Sequence, residues 1–184
     1  MPSDDILIRP TDETDIPALT EIYRHAVLHG TASYEVEPPG EAEMLRRCRD
    51  LTGRGFPHLV AERGGRVLGY AYAGPYRPRP AYRFSVEDSI YIAPDLHRAG
   101  VGSRLLAALI EACEAKGFRQ IFASAGGGTE NPASVRLHEK LGFRTIGIFE
   151  GSGFKHGRWL DTVLMQRPLG PGSSQPPEEA EPRN

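Results

Sequence analysis

The run Asp95-Leu96-His97-Arg98-Ala99-Gly100-Val101-Gly102-Ser103 joins an apolar β-type segment, Ser89 to Ala93, to an amphipathic helical segment, Arg104 to Lys116. Two glycines at a strand-to-helix turn let backbone N–H groups come close to an anion, and the helix N-terminus behind them adds partial positive charge. The chemistry on offer is a phosphate cradle. A dinucleotide-binding turn would need a third glycine at position 105 and an acidic residue closing the next strand, and Leu105 and Ala123-Ser124-Ala125 supply neither. A Walker A loop would need Gly-Lys-Ser or Gly-Lys-Thr, which Gly102-Ser103-Arg104 is not.

A second chemistry-bearing segment follows at Asn131-Pro132-Ala133-Ser134-Val135-Arg136-Leu137-His138-Glu139-Lys140-Leu141-Gly142-Phe143. It reads as a helix opened by Asn with Pro just inside and closed by Gly. Asn131, Ser134, Val135 and His138 fall at i, i+3, i+4 and i+7, so they share one helix face, polar and carrying a single histidine.

The glycine turn followed by an Asn-x-x-Ser helix ending in Leu-Gly-Phe resembles the GNAT superfamily of acetyl-CoA-dependent N-acetyltransferases. Four further blocks narrow the resemblance to its phosphinothricin and methionine sulfoximine N-acetyltransferase branch. They are Ala71-Tyr72-Ala73-Gly74-Pro75-Tyr76, Val86-Glu87-Asp88-Ser89-Ile90-Tyr91-Ile92, Ser134-Val135-Arg136-Leu137-His138-Glu139 and Phe154-Lys155-His156-Gly157-Arg158-Trp159-Leu160-Asp161. The similarity runs from about Ile6 to Leu169. His97 departs from it, standing where the family more often has Gln or Arg, and Arg98 next to it offers the cation instead.

The resemblance implies acetyl-CoA as co-substrate. Backbone groups of Ile90, Tyr91 and Ile92 would pair with pantetheine in an opening between two splayed strands. Arg98, Ala99, Gly100, Val101, Gly102 and Ser103 would hold the pyrophosphate, and Asn131 with Ser134 the pantetheine arm. Acetyl transfer to an amine needs a neutral amine, and a positioned general base contributes roughly 10²- to 10⁴-fold. Glu87, three residues before Ile90, matches the glutamate given that role in the related enzymes; the bland alternative is a solvated strand carboxylate. Asp88 points to the opposite sheet face and is expected to be structural. His138 stands where many relatives carry a tyrosine that protonates departing CoA, and its two readings are acid or base partner and hydrogen-bonding or packing residue.

An amino acid with a phosphinate, sulfone or sulfoximine head wants cations and hydroxyls, which Tyr76 to Arg83 supply; Arg77 and Tyr82 match family blocks there. Tyr34, between the first two helical segments, is expected to wall the pocket, and Tyr23 either joins it or packs in the core. Lys155, His156, Arg158 and Trp159 read either as a solvated basic turn or, from the resemblance, as part of a homodimer interface. No metal is expected: His25 and His29 are spaced i, i+4 but have no catalytic Glu between them. The activity implied is direct acetylation of a small amino acid analogue at its α-amine, with toxin resistance as one consequence. The alternatives are acetylation of another amine, such as a protein N-terminus, and a non-catalytic CoA-sensing module.

Composition allows all of this. With 184 residues, 39% of them hydrophobic, the chain can fill one good core. Its 22 basic and 24 acidic residues balance once Gly170 to Asn184, holding one arginine and three glutamates, is set aside. A neutral body speaks against nucleic-acid or membrane partners. Two distant cysteines, Cys48 and Cys113, suggest neither a disulfide framework nor zinc. The acidic N-terminus and the absence of a long apolar run predict a cytoplasmic protein.

The elements that must position these groups follow from periodicity and turn residues. Strands are predicted at Ile6 to Ile8, His58 to Glu62, Val67 to Ala73, Phe84 to Ile92, Gln120 to Ala125, Thr145 to Phe149 and Leu160 to Gln166. Helices are predicted from Ile16 past Ala26, from Gly40 to Leu51, from Arg104 to Lys116 and after Asn131. Prolines at 75, 78 and 80 make a shaped loop. The fold class is α/β (α+β), a mixed, mostly antiparallel sheet of about seven strands with helices on both faces: one domain over 1–169, then a disordered tail over 170–184 rich in Pro and Glu.

Overall fold

The computed structural model describes residues 6–96 and 100–177. Seven strands form one sheet: β1 (Leu7–Pro10), β2 (His58–Arg63), β3 (Arg66–Pro75), β4 (Ser85–Ile92), β5 (Gln120–Gly126), β6 (Arg144–Lys155) and β7 (Arg158–Pro168). Their spatial order is β1-β2-β3-β4-β5-β7-β6, and all neighbours are antiparallel except β4 and β5. The helices are α1 (Ile16–His29), α2 (Glu41–Gly53), α3 (Val101–Ala115) and α4 (Ala133–Lys140).

The parallel pair is the structural event that matters. β4 and β5 share three rungs, Ser85↔Gln120, Val86↔Ile121 and Glu87↔Phe122. Beyond them β4 stays paired with β3 as far as Ile92, and β5 with β7 as far as Gly126. The facing edges from Asp88 and Ala123 onward therefore have no strand partner, and the sheet forks. Backbone N–H and C=O groups left along such a fork want acceptors and donors from elsewhere.

Both sheet faces are covered, for reasons visible in the helix sequences. α3 presents Leu105, Leu106, Leu109, Ile110 and Cys113 to Ala71, Ala73, Val86, Ile121 and Met165. α1 and α2 present Ile16, Leu19, Tyr23, Met44 and Cys48 to Val60 and Tyr70 on the other face. Each wholly buried leucine contributes about 1.5–3 kcal/mol over an exposed one. Asp12 caps the short turn before α1 and its backbone N–H donates reciprocally to the Asp15 carboxylate, while Arg9 binds Asp15 at 2.7 Å and Glu62 at 2.8 Å, tying β1 to α1.

Two expectations are corrected. β6 runs on to Lys155 rather than stopping at Phe149, with register breaks at 145/147 and 149/153 that leave Ile146 and residues 150–152 as bulges. α3 begins at Val101, not Arg104, so Val101, Gly102 and Ser103 are its first turn. Past Leu169, Arg119 donates to the carbonyls of Gly172 at 3.2 Å and Pro176 at 2.9 Å, beside the start of β5. The rest of the expected tail lies outside the described residues.

Candidate active site

Glu87 sits on the last rung before the fork. Val86, Ile90 and Ile92 pack on the α3 side, so Glu87, Ser89 and Tyr91 face α1 and α2, where Tyr91 packs edge-on to Tyr23 at 4.9 Å. From β5, Ser124 Oγ donates to Glu87 Oε1 at 2.6 Å. Phe122, the Cα partner of Glu87, stacks on Tyr76 at 4.2 Å; Tyr76 meets Tyr82 edge-on at 5.6 Å. The Arg77 guanidinium lies over Tyr76 at 5.2 Å and Tyr82 at 5.9 Å. Arg77 and Tyr82 are thus joined to Glu87 through Phe122 and Tyr76.

Tyr34 also reaches this face. Its hydroxyl meets Thr162 Oγ1 at 2.7 Å and the Asp161 carbonyl at 3.2 Å. Its ring passes between Gly126 of β5 and Gly153 of β6, where any Cβ would lie 2.7 Å and 2.5 Å from it. Glycine is required there by close approach, and Tyr34 is a strut that docks the α1–α2 connection onto the sheet. Lys155 makes a second tie, its buried ammonium donating to the Ser33 carbonyl at 2.6 Å, and burial lowers its pKa. A cleft of about 230 Å³ between α2 and β3 is lined by Tyr23, Met44, Cys48, Leu51, Tyr70 and Tyr72. Leu51 lies over Gly74, the Cα partner of Glu87, so one strand separates this cleft from the carboxylate.

At the other end of β4 stands the cradle. Gly100 caps α3 at φ 80°, the left-handed region that favours glycine, and the first-turn amides of Val101, Gly102 and Ser103 have no intrahelical acceptor. A Cβ at Gly102 would lie 3.3 Å from Leu137 of α4 and 3.8 Å from Ile92, so the second glycine serves close packing among α3, α4 and β4. Ile90, Tyr91 and Ile92 lie along the unpaired edge of the fork. His97, Arg98 and Ala99 lie outside the described residues.

α4 departs from expectation. Pro132, not Asn131, is its cap; Asn131 is exposed, and its amide donates to the Gly127 carbonyl at 2.8 Å. The face shared by Ser134, Val135 and His138 turns inward: Ser134 and Val135 are half-buried and His138 is buried. His138 Nε2 lies 2.9 Å from Asp88 Oδ2, with side-chain exposures of 3% and 1%, and Nδ1 lies 2.7 Å from the Ser134 carbonyl. Burial pulls the imidazole pKa down, but the Asp88 carboxylate outweighs it, so the value lies above the ordinary one. Both ring nitrogens are engaged, on the face opposite Glu87.

The basic cluster also divides: Lys155 is buried, His156 contacts the Gly30 carbonyl, Arg158 pairs with Glu130, and Trp159 is exposed. Burial pushes the Cys113 thiol up to about 12 and raises that of Cys48, so neither is poised as a nucleophile. Among the described residues no group of three or more His, Cys, Asp or Glu side chains is placed to hold a metal ion, and no helix is long and apolar enough to cross a membrane.

Sequence reasoning missed Ser124 and Phe122. Only Ser124 left a signal, a lone polar residue between Ala123 and Ala125 whose strand parity matches that of Phe122.

The sheet thus forks with the Glu87 carboxylate at the crotch and the glycine-capped first turn of α3 beyond the end of β4. Residues 18–143 match the acetyltransferase (GNAT) family, and the chain belongs to it. It is an N-acetyltransferase. The phosphinothricin N-acetyltransferase of Alcaligenes faecalis is 52% identical over 171 residues, 93% of this chain and 86% of that one. The L-methionine sulfoximine/L-methionine sulfone acetyltransferase of Salmonella typhimurium is 39% identical over 162 residues, 88% and 94% of the two chains. The crystal structure of a phosphinothricin acetyltransferase from Sinorhizobium meliloti in complex with AcCoA superposes with a TM-score of 0.93 at 49% identity, covering 97% of this chain and 96% of that one.

Proposed function

We propose that this chain transfers acetyl from acetyl-CoA to the α-amine of a small amino acid analogue of the phosphinothricin, methionine sulfoximine or methionine sulfone type. The observation that carries the reading is the Glu87 carboxylate, fixed by Ser124 where β4 and β5 part. The relatives' substrates and the acetyl-CoA of the Sinorhizobium meliloti enzyme support it.

The chain's own groups fit the donor. The left-handed Gly100 and the first-turn amides suit a pyrophosphate, with Arg98 and Ala99 assigned beside them. The unpaired edge at Ile90, Tyr91 and Ile92 suits the amide groups of a pantetheine arm, with Asn131 and Ser134 assigned to its other side. When bound, acetyl-CoA supplies an activated acetyl group and a thiol leaving group. Glu87 takes the proton from the substrate ammonium, directly or through a water, and leaves a nucleophilic amine. Arg77 and Tyr82 bind the anionic and oxygen-bearing groups, Tyr34 closes the wall, and the side chain extends over Gly74 toward the cleft beside Leu51. Transfer is direct, because neither thiol lies at the site in a reactive form.

Two copies pair through the β6–β7 hairpin in this reading. β6 is an edge strand, and Ile146, Ile148, Phe149, Phe154 and Trp159 are exposed on it and its partner. The compartment is the cytoplasm, which keeps thiols such as Cys48 and Cys113 reduced. N-acetylation of phosphinothricin in a host cell would give resistance to it.

The test is to incubate purified protein with acetyl-CoA and a panel of amines and to follow thiol release. Release with phosphinothricin or methionine sulfone, and not with peptides, is the expected outcome. Thermal stabilisation by CoA without turnover on any amine would contradict it and favour a sensor.

A further inference from the structure

Behind the residues assigned to the reaction, on the α3–α4 side of the sheet, lies the Asp88–His138 pair. Asp88 is the first β4 residue past the last rung shared with β5, and His138 is the buried residue of α4. Its ring packs edge-on to Phe143 at 4.8 Å.

The proton count of the pair follows from its partners. A carbonyl oxygen only accepts, so the 2.7 Å contact of Nδ1 with Ser134 places a proton on Nδ1. The 2.9 Å contact of Nε2 with Asp88 Oδ2 places a second proton between those two atoms. Whether written as imidazolium and carboxylate or as imidazole and carboxylic acid, the pair has no net charge and no uncommitted ring nitrogen. Asp88 Oδ1 is buried without a hydrogen-bond partner among the described residues, so the carboxyl is held by His138 alone. Removing His138 leaves the Asp88 carboxyl buried without a partner, and removing Asp88 leaves His138 Nε2 buried without one, each a costly state.

Position gives this pair its consequence. α4 is eight residues long and has little other buried surface, with Val135 and Leu137 only partly covered. The same helix touches α3, where Leu137 lies against Gly102 in the first turn of the cradle. A chain of contacts thus runs from Asp88 on β4, through His138 and Leu137 on α4, to Gly102 on α3.

We propose that Asp88 and His138 are positioning residues for acetyl-CoA: their bond seats α4 against β4, and so sets both the width of the fork and the packing of the cradle's first turn. The proposal rests on the reading that the fork holds acetyl-CoA. His138 acts here by placing backbone and side chains, and it passes no proton to substrate or leaving group.

The experiment compares His138→Leu, Asp88→Ala and Asp88→Asn with the wild type in steady-state kinetics at varied acetyl-CoA, in CoA titration calorimetry, and in the pH dependence of kcat. His138→Leu and Asp88→Ala are expected to raise KM for acetyl-CoA and Kd for CoA about tenfold or more, with kcat within about threefold of the wild type. Asp88→Asn, whose amide can donate to a neutral Nε2, is expected to restore both constants to within about threefold. The pH dependence of kcat is expected to be the same in all four proteins. Loss of kcat by about a hundredfold in His138→Leu at unchanged KM for acetyl-CoA would overturn the proposal and make His138 a catalytic residue. Should His138→Leu fail to fold, the contrast of Asp88→Ala with Asp88→Asn carries the test, and equal CoA affinity in those two would overturn it. A wild-type protein that binds no CoA would instead contradict the reading of the fork, and the proposal with it.

Discussion

Ser124 donates to Glu87 across two strands that share no rung beyond Glu87↔Phe122, so a 2.6 Å bond from a side chain holds the carboxylate where the backbone ladder has ended. It occupies Oε1, and in the proposed function Oε2 meets the incoming ammonium. Ser124→Ala keeps the strand and removes this constraint. A drop in kcat of about tenfold is expected, with KM for acetyl-CoA unchanged, since a hydrogen bond to a charged group is worth about 1.5–3 kcal/mol. Steady-state kinetics at saturating amine checks it, and wild-type kcat in the variant would remove Ser124 from the site.

Tyr34 makes the pocket wall dependent on a glycine more than a hundred residues away. A Cβ at Gly153 would lie 2.5 to 2.8 Å from three atoms of the ring, and a ring wedged against Gly126 on its other side has little room to move. Gly153→Ala is expected to cost about 1–3 kcal/mol of stability in urea unfolding and to raise KM for the amine more than KM for acetyl-CoA. Unchanged stability would mean that Tyr34 can leave its slot freely.

His58 gives the fold an acid sensitivity of known sign. Burial pushes its pKa down to about 4, and it is stacked against Tyr72 at 5.2 Å and bonded through Nδ1 to Thr11 at 2.7 Å. The unfolded chain takes up a proton near pH 6.5 and the folded one does not. Stability from this group is therefore complete above pH 6.5 and is lost as pH falls from there to about 4. At about 1.4 kcal/mol per pH unit the loss is on the order of 3 kcal/mol. His138 works in the opposite sense: its raised value makes its contribution complete below pH 6.5 and lost as pH rises through the folded value. Urea midpoints between pH 7 and 4.5 should fall less steeply in His58→Phe than in the wild type; parallel slopes would show that His58 titrates normally in the fold.

Phe154 and Trp159 pack edge-on at 5.2 Å while remaining 59% and 67% exposed, at the tip of the hairpin that ends the sheet. If this surface joins two copies, light scattering on the wild type should give about twice the 20.2 kDa chain mass and Trp159→Asp should give one chain mass. A wild-type monomer, or a dimer indifferent to Trp159→Asp, would place the interface elsewhere or remove it.

The parts of this fold that can be read from the chain are those where periodicity and turn chemistry agree. β4 and the body of α3 are such parts: an apolar strand, a glycine turn and a leucine stripe with no charge on its buried side. The end of β6 was hidden because Gly147, Gly151 and Gly153 look like strand breaks, whereas Gly147 stays in the ladder, Gly151 lies in a bulge and Gly153 makes room for Tyr34. The start of α3 was hidden for a related reason, since Gly102 sits inside the helix to let Leu137 approach. The strand that carries Glu87 and the glycine turn into α3 were legible from local motif. The bond from Ser124 and the one between Asp88 and His138 join residues 37 and 50 positions apart, and no local pattern encodes which side chains face each other across a fork. The inward turn of α4 was likewise invisible, because a polar face reads as a wet one until a buried carboxylate is found opposite its histidine.

The measurement that bears most directly on the central claim is the turnover of methionine sulfone by Glu87→Gln at saturating acetyl-CoA, alongside CoA calorimetry on the same protein. If the carboxylate at the crotch of the fork accepts the ammonium proton, kcat should fall by about 10²- to 10⁴-fold while CoA affinity stays within about twofold of the wild type. Nearly full turnover in Glu87→Gln, with CoA still bound, would contradict the account.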